Sequence, residues 1–177
     1  AREYERAVTA AVNAYVRPAV QRYLQDLIEG TAARAIATEP RVTRSNGGMQ
    51  RARTIQRQPV SALLSGPAAG VAAAAAVAQE SGFDAADLIT IDVGGTSADV
   101  GCVRGGAPVL STEEHVAEFP LLLPSIAVSS VGAGGGSIIW LDETGSLRVG
   151  PRSAGADPGP ACYGRGSSIP SLTDAML

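Results

Sequence analysis

Residues 89–100 read Ile-Thr-Ile-Asp-Val-Gly-Gly-Thr-Ser-Ala-Asp-Val, and this stretch decides the fold that we expect. The apolar run from Leu88 to Ile91 is rich in β-branched side chains, which predicts a buried strand. The strand leads into a turn that contains two glycines and two hydroxyl residues, with Asp92 before it and Asp99 after it. A strand that turns sharply through glycines exposes backbone N–H groups, and such groups bind phosphate oxygens.

Each residue type in this turn suits the binding of a polyphosphate. Glycines let backbone amides approach phosphate oxygens closely, and hydroxyl side chains add donors. The candidate cofactor-binding residues of the turn are Gly94, Gly95, Thr96 and Ser97. The carboxylates of Asp92 and Asp99 would hold Mg²⁺ or orient a water, so both are candidate catalytic and metal-binding residues. The alternative is a tight turn that only reverses the chain.

The residues after the turn predict a returning β-hairpin. Val100 to Arg104 is followed by Gly105-Gly106 and then by Pro108 to Leu110. A phosphate turn between hairpin strands is typical of actin and the sugar kinases, and no Gly-Lys-Ser/Thr of a Walker loop follows. We therefore expect a mixed α/β fold: an actin-like ATPase (ribonuclease H-like) domain with β-hairpins around a glycine-rich phosphate turn.

A second glycine cluster lies further along the chain. Gly134, Gly135, Gly136 and Ser137 follow a predicted strand. Each consecutive glycine costs on the order of 1 kcal/mol relative to alanine, so the backbone must approach something closely. A ligand would make these four residues part of the cofactor site, whereas close packing against another chain segment is the alternative.

Composition narrows the class of protein. The chain has 177 residues, of which 45% are hydrophobic, and a net charge of -3, so we expect no nucleic-acid surface. The apolar run from Val71 to Ala78 is too short for a bilayer span. Cys102 and Cys162 are far apart in the sequence, which favours a cytoplasmic location over a disulfide-bonded one. The chain opens without a Met, and we expect it to be a fragment of a longer polypeptide.

We expect a helical segment and connector over residues 1–58 and a portion of the nucleotide-binding domain over residues 59–177. Pro18 would kink the first helix or begin a second one. The segment 50–58 carries three arginines without a hydrophobic face, which predicts solvated chain, with a subunit or ligand contact as the alternative. The predicted elements are helices at 2–15, 19–28 and 71–79 and strands at 41–45, 59–64, 88–91 and 125–131, with a hairpin at 138–149.

Three polar features have a structural and a functional interpretation. Ser65 would cap the helix at 71–79, or the start of that helix would bind an anion. We expect His115, the single histidine, to be a surface residue more than a metal ligand. We expect Cys162 to be a small buried side chain more than a nucleophile. The Pro/Gly-rich loop at 150–160 is either functional or an ordered edge.

Several motifs occur in a characteristic order. They are Asn13-Ala-Tyr-Val16, Ser45-Asn-Gly-Gly48, Leu64-Ser-Gly-Pro-Ala-Ala-Gly70, Asp92-Val-Gly-Gly-Thr-Ser-Ala-Asp-Val100, Val131-Gly-Ala-Gly-Gly-Gly-Ser137 and Ser153-Ala-Gly-Ala-Asp-Pro-Gly-Pro-Ala-Cys-Tyr-Gly-Arg-Gly166. Together they resemble the hydantoinase A/5-oxoprolinase family over essentially the whole chain. That family includes ATP-dependent N-methylhydantoinase and the ATPase subunits of acetone and acetophenone carboxylases.

The resemblance implies an actin-like ATPase fold and the ATP-dependent activation of a cyclic amide or carbonyl oxygen by phosphorylation. It also implies a partner, the B-type subunit or domain, in an oligomeric assembly. The family's first phosphate motif lies upstream of these residues, so we expect the chain to be inactive alone. Thr173-Asp-Ala175 resembles a step in the middle of the family's domain.

One departure from the family pattern bears on activity. Between Pro124 and Gly132 the family commonly has an Asp, often with a His or Asn two residues later, where this chain has Ala127 and Ser129. This departure favours a second hypothesis, an actin-like module that binds nucleotide or a partner without turnover. A kinase of the same superfamily is a third hypothesis.

Overall fold

The computed structural model describes residues 1–84, 86–116 and 118–177. The helices are α1 (Glu3–Ala33), α2 (Ala52–Arg57), α3 (Ser65–Glu80) and α4 (Leu172–Ala175), with 3₁₀ turns at Pro59–Ala62 and Ala161–Tyr163. The strands are β1 (Arg41–Thr43), β2 (Met49–Arg51), β3 (Leu88–Val93), β4 (Ala98–Arg104), β5 (Ala107–Pro108), β6 (Leu110–Ser111), β7 (Glu114–Val116), β8 (Phe119–Leu121), β9 (Ser125–Ile126), β10 (Val128–Val131), β11 (Ser137–Leu141) and β12 (Leu147–Ser153). The chain is thus mixed α/β.

The chain forms two compact units, of which the first comprises Ala1–Leu88 and Gly101–Ala127 and the second comprises Ile89–Val100 and Val128–Leu177. The expected division between residues 58 and 59 stays a prediction. None of the helices in the described residues has both the length and the apolarity that a membrane crossing requires.

The first unit begins with one continuous helix. Helix α1 continues through Pro18, so the prediction that Pro18 begins a second helix is wrong, and the predicted kink stays a prediction. Its stripe around Leu24 packs against Ala52 and Ile55 of α2, and these three side chains are almost fully buried. The prediction of solvated chain at 50–58 is therefore wrong: two apolar residues three apart give a short helix enough of a face to pack.

The predicted strand at 59–64 is also wrong. Pro59 opens a 3₁₀ turn, in a position where its missing N–H costs nothing. The amide of Val60 donates to the side-chain oxygen of Asn13 over 3.2 Å, which ties the turn to α1. The Ser61 hydroxyl donates to the carbonyl of Gln58 over 2.7 Å. An apolar run of this length is typical of a strand, but here side-chain bonds to the backbone favour a turn.

Helix α3 begins before the predicted helix at 71–79 and includes it. Leu64 occupies the N-cap position with a φ of 58°, and Ser65 is the first helical residue without a capping hydrogen bond. The predicted cap by Ser65 is therefore wrong. The helix buries Ala68, Val71 and Ala75, and these small side chains permit close packing.

The hairpins are largely where the sequence predicts them. Strands β1 and β2 pair around the turn at Asn46-Gly-Gly48, in which Gly47 has a φ of 80°. Strand β5 pairs with β4, with Val103 opposite Pro108. In the second unit β11 and β12 pair, with Ile139 opposite Val149, around the turn at 142–145. Turn chemistry fixed these elements locally.

Strand β3 exists as predicted, but its apolar side chains are not buried. Ile89 is 74% exposed and Ile91 is 67% exposed. β-branched residues favour a strand through local sterics, whereas burial needs a covering layer. The described residues supply no such layer over these two side chains.

Candidate functional site

An open cavity of about 550 Å³ lies in the second unit. Both glycine clusters and the motif at 153–166 contribute to its wall. The lining residues are Val93, Gly94, Gly95, Thr96, Gly135, Gly136, Gly155, Ala156, Pro160, Tyr163, Arg165 and Thr173.

The first wall of the cavity is the turn between β3 and β4. The amide of Gly94 donates to the carbonyl of Ser97 over 2.9 Å and closes the turn. Strand β4 follows directly, so the turn is fixed at both ends by sheet backbone.

The second glycine cluster is bonded directly to this turn. The amide of Gly135 donates to the carbonyl of Gly94 over 2.9 Å, and that of Gly136 donates to Gly95 over 2.6 Å. In a trans peptide the C=O and the following N–H point in opposite directions. The amides of Gly95 and Thr96 therefore point away from the glycine cluster, and neither has an acceptor among the described residues.

Close packing requires glycine at two positions of the second cluster. A Cβ on Gly134 would lie 2.6 Å from the Thr96 nitrogen and 2.6 Å from the Gly94 carbonyl oxygen. A Cβ on Gly136 would lie 2.8 Å from the carbonyl oxygen of Gly95. Of the two interpretations of this cluster, the approach of another chain segment is thus observed. Approach of a ligand stays a prediction for the two glycines that also line the cavity.

Ser137 lies behind the cavity wall. Its side chain is fully buried, and its Oγ accepts the amide of Gly134 over 2.8 Å and donates to the carbonyl of Thr96 over 3.5 Å. Of the eight predicted cofactor-binding residues, the cavity wall includes Gly94, Gly95, Thr96, Gly135 and Gly136 and does not include Ser97, Gly134 and Ser137.

The two predicted carboxylates flank the turn without lining the cavity. Asp92 is exposed on β3, and Asp99 is half-buried on β4. The Asp99 carboxylate accepts a hydrogen bond from the hydroxyl of Ser130. In the part of the chain that the structure describes, no three His, Cys, Asp or Glu residues form a cluster suited to a metal. The roles of both carboxylates stay predictions.

Sequence reasoning missed Thr173. Its amide and its hydroxyl both donate to the carbonyl of Gly135 over 2.8 Å, so α4 is fixed directly to the second glycine cluster. The sequence feature that could have indicated this residue is the Thr173-Asp-Ala175 motif. Tyr163 and Arg165 also line the cavity. Both lie in the motif at 153–166, but the motif alone does not predict this position for them.

The carboxylate of Asp174 connects α4 to the 3₁₀ turn beside the cavity. It accepts the amide of Cys162 over 2.7 Å and that of Ala161 over 3.2 Å. It also accepts the amide and the hydroxyl of Ser171, each over 2.7 Å. These bonds, those from Cys162 first, hold the pKa of Asp174 well below its usual range.

The remaining polar predictions have mixed outcomes. Cys162 is exposed, so the prediction of a buried small side chain is wrong. Hydrogen bonding to Asp174 raises the pKa of its thiol, which disfavours the thiolate that a nucleophile needs. His115 is exposed, as predicted for a surface residue.

Comparisons with known proteins give matches that cover nearly the whole chain. The family model described as hydantoinase/oxoprolinase matches residues 6–177. The caprolactamase subunit alpha of Pseudomonas jessenii is 44% identical over 177 residues, which cover 99% of this chain and 25% of that protein. The acetophenone carboxylase gamma subunit of Aromatoleum aromaticum is 35% identical, over 98% of this chain and 23% of that protein.

Two solved structures share the fold. The crystal structure of the ATP-dependent caprolactamase from Pseudomonas jessenii matches with a TM-score of 0.76 and 42% identity, over 99% of this chain and 25% of that chain. The nucleotide-free structure of an acetone carboxylase, an enzyme of ATP-dependent acetone carboxylation, matches with a TM-score of 0.76 and 29% identity. The match covers 87% of this chain and 21% of that chain.

These matches confirm the predicted mixed α/β fold of the actin-like ATPase type. The chain spans about a quarter of the length of the caprolactamase subunit and less of the carboxylase subunit. With a family model that matches all but its first five residues, the chain belongs to the hydantoinase/oxoprolinase family.

Proposed function

We propose that this chain forms part of the ATP site of a hydrolase that acts on cyclic amides of the hydantoin or 5-oxoproline type. One observation carries the proposal: the turn at 94–97 directs the amides of Gly95 and Thr96 away from the second glycine cluster, and both residues line the cavity. Amides without acceptors at a glycine turn are the groups that bind phosphate oxygens. The ATP-dependent caprolactamase named above supports ATP use and a cyclic amide as substrate, and the acetone carboxylase supports ATP use alone.

The residues of the cavity fit a nucleotide. Glycine backbone forms the wall at 94–95 and at 135–136, so no side chain there blocks the close approach of phosphates. The Thr96 side chain adds a hydroxyl donor to the wall. When bound, ATP would supply the phosphoryl group that turns the amide oxygen into a leaving group. The residues of this chain position and neutralise the phosphates, which is the protein's main task in phosphoryl transfer.

Asp92 and Asp99 are the residues that would hold Mg²⁺. Carboxylate oxygens are the ligands that this ion prefers, and it usually keeps several waters and uses one or two carboxylates. The Ser130 hydroxyl bonds one oxygen of Asp99 and leaves the other available. Asp92 is exposed next to the turn and is accessible to a hydrated ion.

We further propose that the chain works with a B-type subunit or domain, in an oligomeric assembly in the cytoplasm. Two relatives are named as single subunits, alpha and gamma, of larger enzymes. In this proposal the partner would complete the reaction by hydrolysing the phosphorylated amide.

A non-catalytic actin-like module is the second candidate function. Ala127 and Ser129 stand where the family commonly has an Asp and a His or Asn. Neither present side chain can act as a general base, so a step that needed that Asp would be lost. Such a module would bind nucleotide or a partner subunit without turnover.

Hydrolysis of Mg-ATP by the purified protein with its B-type partner separates these functions. Release of phosphate that rises on addition of a hydantoin, a lactam or 5-oxoproline supports the amidohydrolase. Tight nucleotide binding without turnover, with every cyclic amide tried, supports the module. Recovery of the phosphate on a stable released product would indicate a kinase instead.

A further inference from the structure

The lining of the cavity carries a single charge. Among the described residues that form its wall, Arg165 is the one ionised side chain, and no carboxylate contributes. Neither of the ion pairs found in the described residues, Arg2–Glu113 and Arg148–Asp142, includes Arg165. The cavity therefore presents a net positive wall, which favours an anionic ligand.

The Arg165 guanidinium is held on two sides. Its Nη1 donates to the carbonyl of Ala156 over 3.2 Å. Its Cζ lies 5.7 Å from the centre of the Tyr163 ring, within the range of a cation–π contact. An arginine has five N–H donors, and one of them is used here among the described residues. The planar group is thus positioned while most of its donors stay available.

The backbone around Arg165 is also specified. Gly164 and Gly166 have φ values of 67° and 93°, a region that L side chains rarely adopt. The preceding turn is fixed by the two amides that donate to Asp174. Two glycines and one carboxylate therefore determine the path of the segment that presents Arg165, and a freely moving surface arginine would need none of them.

We propose that Arg165 binds phosphate oxygens of the ATP in this cavity, supported by the ring of Tyr163. The inference rests on the proposed function and adds to it the cationic residue that the glycine turn lacks. Planar guanidinium donors match the geometry of phosphate oxygens, and the charge assists each hydrogen bond. A carboxylate on the cyclic amide is the other oxyanion that this group fits, and the experiment separates the two.

The test is isothermal titration of the purified full-length protein with Mg-ATP and, separately, with 5-oxoproline, in the wild type and three variants. Arg165→Gln should weaken ATP binding about tenfold or more, and Arg165→Lys, which keeps the charge but loses the fork, by less. Arg152→Gln is the matched control, because Arg152 is exposed on β12 of the same unit and does not line the cavity. It should bind ATP as the wild type does.

Each outcome has one meaning. Equal ATP affinity in Arg165→Gln and the wild type overturns the inference and leaves the proposed function standing. Lost affinity for 5-oxoproline with unchanged affinity for ATP also overturns it and assigns Arg165 to the substrate. No ATP binding by the wild type overturns the proposed function itself. An ATP affinity of Arg165→Lys between those of Arg165→Gln and the wild type shows that the charge contributes to binding.

Discussion

The amide of Gly136 donates a hydrogen bond of 2.6 Å to the carbonyl oxygen of Gly95. With the parallel bond from Gly135 to Gly94, this contact makes the two glycine clusters one structural element. The direction of the free amides in the turn at 94–97 is therefore set by a segment distant in sequence. A substitution in the second glycine cluster should therefore change the conformation of the turn at 94–97.

Gly134→Ala should destabilise the protein. The added Cβ would lie 2.6 to 2.7 Å from three backbone atoms of residues 94–97, none of which can rotate away as a side chain would. Overpacking of this kind costs about 1–3 kcal/mol in the free energy of unfolding. Equilibrium urea unfolding measures the loss.

Gly95→Ala is the matched control for that experiment. A Cβ on Gly95 meets nothing within 4 Å, so its stability should stay within about 0.5 kcal/mol of the wild type. Equal unfolding free energies for the two variants would contradict the close packing described for Gly134.

The same Gly95→Ala variant should bind nucleotide poorly. Its methyl group would project into open space at a residue that lines the cavity, where the proposed phosphates approach. We expect the Kd for Mg-ATP to rise about tenfold, a cost of about 1.4 kcal/mol. Gly70→Ala on the exposed face of α3 is the control and should leave the Kd unchanged. An unchanged Kd in Gly95→Ala would argue that the turn only reverses the chain.

Local chemistry explains which parts of this fold the sequence could predict. The turns at 46–48 and 142–145 need glycine at a positive φ, and such residues can be read directly. Cys162 could not be placed, because the turn that carries it is fixed by a carboxylate 12 residues away, that of Asp174. The segment at 59–64 is apolar enough for a strand, but the amide of Val60 donates to the side-chain oxygen of Asn13, a residue distant in the sequence.

The candidate site was predictable in part for the same reason. Gly94 and Gly95 predict a turn because of their own conformational freedom. Thr173 and Arg165 carry no local sign of the cavity, since Thr173 bonds to Gly135, 38 residues away, and Arg165 bonds to Ala156, 9 residues away. A single sequence does not encode those pairings in any periodicity.

Asp174→Asn should lower stability in a pH-dependent way. Asp174 has a pKa below that of the unfolded chain, about 3.9, so its ionised form stabilises the fold above that pH. This contribution is lost as the pH falls through the lower pKa of the folded state. The thermal midpoints of wild type and variant should therefore differ most from about pH 7 to 5, and the gap should narrow steadily as the pH falls below about 4. Differential scanning calorimetry across this range measures the gap.

Asp26→Asn controls for the removal of a charge alone, because Asp26 is exposed on α1. Its thermal midpoint should follow that of the wild type at every pH. A gap for Asp174→Asn that stays constant down to pH 2 would show that the ionised carboxylate is not what stabilises the turn at 161–163.

Asp174→Asn should also make Cys162 more reactive. The carboxylate of Asp174 accepts a hydrogen bond from the thiol and repels the thiolate, and both effects raise the pKa of Cys162. Because iodoacetamide reacts with the thiolate, its rate at pH 7.5 should rise when the charge is removed. Mass spectrometry of the labelled protein in a Cys102→Ser background isolates the signal, since both cysteines are exposed and free.

A shift of the rate profile to lower pH identifies the lowered pKa, whereas local unfolding would raise the rate at every pH by one factor. A rate profile that does not move would mean that Asp174 holds only the backbone amides of the turn and leaves the thiol unaffected.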